Sequence, residues 1–323
     1  MKIIKNIECS EDIKVGISSC LLGEEVRFDG QHKLDRYLRD CLGNFVFWVP
    51  VCPETECGMP IPREAMSLNG NRDNPDLLTI RTRKNLTGMM NSWINKRLPE
   101  LESKNLSGFI FKKKSPSSAL YDAKVHNDVG FPYAKSPGLF AKAFTDKFPL
   151  IPVEDEGHMH DPGLRENFIE RIFIYFRWQK MVRFENSKNR LSEFHRRHKL
   201  IIMAHCPSKT SFLGKMAAEA GSDSALIQDE YIKVLMIELK KSATVKKHVN
   251  VLQHILGYFK QDLSTWEKEE ILKIIEHYHQ QFLPLVVPMT LLRHYIAKYN
   301  KEYLKDQHYI YQHPAELKLR NHA

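Results

Sequence analysis

The first half of the chain alternates short runs of β-branched and aromatic residues with longer stretches in which apolar residues recur every three or four positions. "KVGISSC" (14–20), "FVFWVPV" (45–51) and "LSGFIFKK" (106–113) predict strands. "HKLDRYLRDCL" (32–42), "KNLTGMMNSWINKRLPELES" (84–103) and "SPGLFAKAFTDKF" (136–148) predict helices. Alternation at this spacing implies parallel strands with covering helices. After "EGHMHDPG" the pattern becomes purely helical. "LRENFIERIFIYFRWQKMVRF", "RLSEFHRRHKLIIMAHC", "QDEYIKVLMIELKK", "TVKKHVNVLQHILGYFK", "TWEKEEILKIIEHYHQQF" and "MTLLRHYIAKYNKEYLK" all carry three- and four-residue steps. Asp161-Pro162 supplies a start signal, an acidic cap followed by a proline that the first helical turn tolerates. The expected fold class is α/β: a Rossmann-like parallel sheet domain over residues 1–155, followed by an all-α helical domain over 156–323.

A chain of 323 residues exceeds one ordinary core, which agrees with two domains. Charge then separates the halves. Residues 1–163 hold 22 Lys and Arg against 22 Asp and Glu, whereas residues 164–323 hold 26 against 17. The whole net +9 therefore belongs to the helical half, which suits either a polyanionic partner or a solvated basic surface. No apolar run approaches the about 20 residues that span a bilayer, so no membrane partner is expected. "MKIIKNIECSEDIK" lacks the apolar core of a signal peptide, and a cytoplasmic location is the expectation. Six cysteines are too sparse for a disulfide scaffold. Cys9, Cys41 and Cys206 read as small buried hydrophobes.

Ligands of an open parallel sheet bind beyond the carboxyl ends of its strands. Cys20 ends the first predicted strand and opens "CLLGEEVRFDG", and Cys52 ends the second and opens "CPETECG". The third strand runs into "KKKSPSSAL". Two strand-end cysteines facing one crevice are better metal-ligand candidates than two cysteines at random.

These same residues carry a resemblance. "VGISSCLLGEEVRFDGQHKLDRYL", "VPVCPE…PRE" and "KKKSPSSAL" resemble the thiouracil desulfidase family, also known as domain of unknown function 523. "DPGLRENFIERIF", "FHRRHKLIIMAH" and "LKDQHYIYQHPAELKLRN" resemble a second family, domain of unknown function 1722. Proteins carrying both resemble transfer-RNA 4-thiouridine desulfidases, which return the thiolated base to uridine. The resemblance implies a 4Fe-4S cluster ligated by three cysteines with one open iron. The family positions fall on Cys20, Cys52 and Ser118 of this chain. An open iron is a thiophilic Lewis acid for a thiocarbonyl sulfur. Glu54, two residues after Cys52, is the first choice for activating water, with Asp29 and Ser115 for proton shuttling and orienting the base. Asp29-Gly30 and Ser115-Pro116 are equally plain turn chemistry.

The chain departs from the family at one place. The family reads Ser-Pro-Ser-Cys-Gly where this sequence has Ser115-Pro116-Ser117-Ser118-Ala119. A serine hydroxyl is a poor substitute for thiolate on iron. Either the cluster is gone or another thiolate replaces the missing one, and Cys57 is the replacement at hand. Arg63 pairs with Glu54 or touches a phosphate. Lys112, Lys113 and Lys114 lead into the site loop, and "FHRRHK" sets Arg196, Arg197 and Lys199 on about one and a half turns. Both clusters suit phosphate contact, the lysines equally an exposed charged edge, and with the resemblance they imply transfer-RNA binding. The aromatic residues of 172–184 read as a core stripe. Two rivals remain beside the transfer-RNA desulfidase: a degenerate member that binds transfer RNA without chemistry, and a desulfidase of free thiolated bases such as 2-thiouracil. The sulfide acceptor is unknown.

Overall fold

The computed structural model describes residues 13–185, 187, 189–219, 225–311, 317 and 319–321. Cys9 lies outside the described residues. The chain divides into two compact units between Asp161 and Pro162.

In the first unit, β1 (Lys14–Ser18), β2 (Phe47–Val51), β5 (Gly108–Phe111) and β8 (Val153–Asp155) form one sheet in the order β2-β1-β5-β8. Every pairing in it is parallel. This is the sheet that strand–helix alternation predicts. All four residues of β5 are buried, as a central strand covered on both faces requires. Gly16 of β1 faces Phe109 of β5, where a Cβ would lie 2.1 Å from the ring. Only glycine lets the two strands pair with that ring between them.

Phe109 and Phe111 stack at 4.2 Å and meet Phe140 and Phe144 of α3 (Leu139–Lys147) at 4.8–5.9 Å. Each such pair adds about 0.5–1.5 kcal/mol beyond its area burial. Helix α2 (Thr87–Ser103) contributes Met90, Ile94, Leu98 and Leu101 to the same core.

A second sheet was not predicted. Strands β3 (Met66–Asn69), β4 (Asp76–Thr79), β6 (Ala123–His126) and β7 (Pro132–Ser136) pair in the order β4-β3-β6-β7 with mixed directions. Its strands interleave polar and charged residues such as Asn69, Asp76, Lys124 and Lys135 with the apolar ones, so they lack the β-branched and aromatic runs that mark β1, β2 and β5.

The helix expected over 32–42 is a second correction. Only Tyr37–Cys41 winds, as a π-helical turn, followed by a 3₁₀ turn at Leu42–Asn44. The residues before it are used otherwise: the Lys33 and Asp35 N–H groups bond the Cys20 and Leu21 carbonyls at 2.9 Å. Asp35 then accepts from Leu38 N at 3.1 Å.

The second unit is helical: α4 (Pro162–Phe184), α5 (Arg190–His205), α6 (Pro207–Glu219), α7 (Ala225–Leu239), α8 (Val245–Leu256), α9 (Thr265–His279), α10 (Val286–Lys298) and α11 (Glu302–Lys305). Pro162 opens α4. Ile172, Phe173, Phe176, Trp178 and Met181 are buried, so the aromatic run is core as far as Met181, whereas Phe184 at its end is exposed. The last predicted helix is two, broken at Asn300, whose φ of +48° is left-handed. Among the described residues no helix is long and apolar enough to cross a membrane.

Candidate active site

The carboxyl ends of β1, β2 and β5 converge on a cavity of about 370 Å³. Strand β1 stops at Ser18, and Ser19–Leu22 curl into a 3₁₀ turn ended by Gly23 at φ +99°. Cys20 therefore lies two residues beyond the strand end, buried on the cavity wall. Strand β2 ends at Val51, and Cys52 leads directly into the short helix α1 (Pro53–Glu56), with proline in its first turn. That turn sets Glu54 beside Cys52: the Cys52 thiol donates to Glu54 Oε2 at 3.5 Å. Glu56 fastens the turn by accepting from Cys52 N at 2.9 Å and pairing with Arg97 Nε at 3.0 Å.

The loop after β5 is held on both sides. Lys112 N donates to Ser18 Oγ at 2.9 Å, the Lys112 ammonium pairs with Glu156, and Lys113 N donates to Glu156 Oε2 at 2.6 Å. Lys114 takes a left-handed backbone, φ +61°, while its N–H bonds Asp122 at 2.9 Å. Beyond it comes a run of serine hydroxyls. Ser117 Oγ donates to Glu54 Oε1 at 2.6 Å and stands 2.9 Å from Ser115 Oγ and 3.2 Å from Ser118 Oγ. Ser115 Oγ lies 3.4 Å from Glu54 Oε1.

Burial pushes the Cys20 thiol up to about 12, with Lys112 working weakly against it. Burial likewise pushes Cys52 up to about 11, aided by the charge of Glu54. Both are neutral thiols in the protein alone. A coordinated cation reverses that preference outright.

The predicted site residues fall into two groups. Cys20, Cys52, Glu54, Ser115, Lys112, Lys113 and Lys114 all line the one cavity, with Ser118 and Arg63. Arg63 donates to the Val26 carbonyl at 3.0 Å. Cys57 and Asp29 are not among the cavity-lining residues. The Cys57 thiol donates to the Glu54 carbonyl at 3.2 Å and the side chain packs against the hydrophobic core. Asp29 accepts from Arg27 at 3.3 Å and from Gln31 N at 3.2 Å in an exposed turn. The hydrogen bond from Arg27 holds its carboxyl below the usual range.

In the helical unit, the Arg196 guanidinium donates to Glu193 at 2.7 and 2.8 Å and to Asp306 at 2.8 Å, and Arg197 donates to Glu193 at 2.6 Å. These hydrogen bonds lower the Glu193 carboxyl to about 2. Lys199 is half-buried. Sequence reasoning passed over Ser117, which is wholly buried. It lies within the Ser-Pro-Ser-Ser run, in which sequence alone does not tell one hydroxyl from the next.

Residues 15–156 match the family model described as 2-thiouracil desulfurase, and residues 199–314 match a protein of unknown function, DUF1722. The two families resembled in sequence are thus the two that the chain matches. The uncharacterized protein YbgA of Escherichia coli (strain K12) is 27% identical over 153 residues, 47% of this chain and 90% of that protein. A solved structure, the 4Fe-4S-dependent thiouracil desulfidase TudS, is 24% identical, covering 46% of this chain and 94% of its own at a TM-score of 0.38.

Proposed function

We propose that this protein is an iron–sulfur-dependent desulfidase that replaces the sulfur of a thiolated nucleobase by oxygen, acting on 4-thiouridine in transfer RNA. The observation that carries the reading is the cavity itself. Two thiols, a braced carboxylate and three lysines from separate loops meet where a parallel sheet binds its ligands.

The donor set fits a cluster in part. Cys20 and Cys52 offer two soft sulfur ligands on one wall, and Ser118 offers a hydroxyl oxygen at the third family position. Cys20 and Cys52 would hold the cluster, with Ser118 beside it. A cluster bound there supplies a thiophilic Lewis acid that polarises C=S.

The rest of the chemistry falls to the chain. Glu54 takes a proton from water, and the oxygen adds to the carbon that bears sulfur. The C–S bond then breaks, giving a carbonyl base and hydrogen sulfide with no net redox change. Ser115, on the same wall, is committed to its neighbours, accepting from Ser117 N and Ser118 N and standing 2.9 Å from Ser117 Oγ. Lys113 and Lys114 at the cavity supply positive charge for the substrate's phosphates. The positive excess of residues 164–323 supports a polyanionic substrate over a free base.

The hydroxyl of Ser118 on the cavity wall favours a second reading, a member of the family that binds transfer RNA without chemistry. Anaerobic reconstitution separates the two. The reading stands if the protein binds iron and sulfide and converts 4-thiouridine in transfer RNA to uridine without added reductant or nucleotide. An iron-free, inactive protein that still binds transfer RNA defeats it.

A further inference from the structure

The proposed reading asks Glu54 to take a proton from water at one place, which requires its carboxylate to be held. We infer that Ser117 is the positioning residue that aims Glu54. The inference rests on the proposed desulfidase reading.

The direction of each hydrogen bond follows from counting protons. Ser115 Oγ already accepts from two backbone groups, Ser117 N at 3.3 Å and Ser118 N at 3.2 Å. Its single proton is free to be donated. The bond from Ser117 Oγ to Glu54 Oε1 is 2.6 Å, the shortest in the serine run, with the carboxylate oxygen as acceptor. Ser117 therefore spends its proton on Glu54, and Ser115 donates to Ser117 Oγ at 2.9 Å, nearer than its other acceptor, Glu54 Oε1 at 3.4 Å. The result is a relay of donors, Ser115 to Ser117 to Glu54, in which each bond strengthens the next. The other carboxylate oxygen, Oε2, faces the Cys52 thiol. Ser117 thus takes up one oxygen of Glu54 and turns the other toward the sulfur side of the cavity.

Ser117 is itself immobilised. Its carbonyl accepts from Phe140 N at 2.9 Å and Ala141 N at 3.2 Å, the first turn of α3. Gly138, which precedes α3, presses against it so closely that a Cβ there would sit 2.4 Å from the Ser117 carbonyl carbon. The side chain is fully buried, so water cannot stand in for its hydroxyl. Ser117 is therefore a rigid point from which to hold a carboxylate, whereas a solvent-facing serine would not be.

The experiment is a double-mutant cycle on the full-length, anaerobically reconstituted protein with transfer RNA containing 4-thiouridine. Parent, Ser117→Ala, Glu54→Gln and the double variant are compared in kcat, KM, iron content and thermal midpoint. Ser117→Ala is expected to lower kcat about ten- to a hundredfold, the usual cost of a misplaced group, with KM and iron content as in the parent. The double variant is expected to be no slower than Glu54→Gln, because without the carboxylate there is nothing left to aim. Ser117→Cys, similar in size with a weak donor, is expected to fall between serine and alanine and serves if the alanine variant does not fold.

A parent-like kcat for Ser117→Ala overturns the inference while leaving Glu54 in place. So do effects that multiply in the double variant, or a rate that falls only as iron is lost. A parent-like rate for Glu54→Gln, or a parent with no desulfidase activity, brings down the proposed reading and this inference together.

Discussion

Two clusters of polar and ionisable side chains dominate this molecule, one in each unit, and they are built oppositely. Around the cavity of the α/β unit, Cys20, Cys52, Glu54, Ser115 and three lysines come from loops after different strands and line one space. In α5 of the helical unit, "FHRRHK" concentrates five histidine, arginine and lysine side chains within two turns, yet four of them are tied to partners on the helix or packed against it. Arg196 and Arg197 are tied to Glu193 and Asp306. His195 bonds Tyr231 at 3.0 Å, and His198 donates Nδ1–H to the Phe194 carbonyl at 2.7 Å while its ring stacks on Phe194 at 4.0 Å. Density of chemical side chains in sequence is therefore a poor guide to a site. What separates the two clusters is whether the groups converge on empty volume or satisfy each other.

The largest effect expected from this contrast is in cluster binding. Cys20→Ser or Cys52→Ser should abolish iron binding after anaerobic reconstitution, whereas Cys57→Ser should retain the iron of the parent, since its thiol is turned to the Glu54 carbonyl. Ser118→Cys with Ala119→Gly should raise iron per protein. Equal loss in Cys57→Ser would make Cys57 a third ligand after all. Next in size, Glu54→Gln should slow turnover by about 10²–10⁴-fold with iron content intact, the cost of a lost general base. An unchanged rate removes Glu54 from the mechanism.

Acid should expose the other cluster. Burial lowers His195 to about 4 and His198 to about 3, with the charge of Lys199 pressing on the first and those of Arg177 and Arg197 on the second. Both folded values lie below the unfolded 6.5. As pH falls below 6.5 the unfolded chain takes up protons that the folded chain refuses, so stability is full above that value and declines toward pH 3. His205 works in the opposite sense: its partner Glu170 raises it against the burial that lowers it. Each refused proton contributes a slope of about 1.4 kcal/mol per pH unit. His198→Phe should flatten the fall of the thermal midpoint between pH 6 and 4 by about one such proton. An unaltered profile would show that His198 is protonated without cost.

The smallest effect concerns RNA. Arg196→Gln with Arg197→Gln should weaken transfer-RNA binding less than Lys113→Gln with Lys114→Gln, because the two guanidinia already hold carboxylates. The lysine pair should also flatten the salt dependence by about one unit per lost phosphate contact. The reverse ranking, read from binding isotherms at several salt concentrations, would place the RNA surface on α5 and Lys199.

What the chain's own pattern determined is the part governed by period and by local steric rules. The β1, β2 and β5 strands were legible as short β-branched and aromatic runs, and the long helix α2 and the helical second half because burial on one face repeats about every 3.6 residues. Pro162 opened α4 for an equally local reason, whereas the fit of Gly16 against Phe109 came only with the pairing of β1 and β5. Cys20 and Cys52 could be singled out because strand ends are where a parallel sheet binds its ligands, and Glu54 through the family resemblance that these residues carry. The second sheet, the π-turn at Tyr37–Cys41 and the break at Asn300 were not legible, since short strands and turns depend on partners distant in the chain. Tertiary structure alone decided that Ser117 reaches Glu54 across 63 residues of chain, that Cys57 faces the core, and that Arg196 bonds Asp306. The physical reason is common to all three. Periodicity tells which face of an element is buried, but the partner of a buried polar group is set by which loops the packed elements bring together.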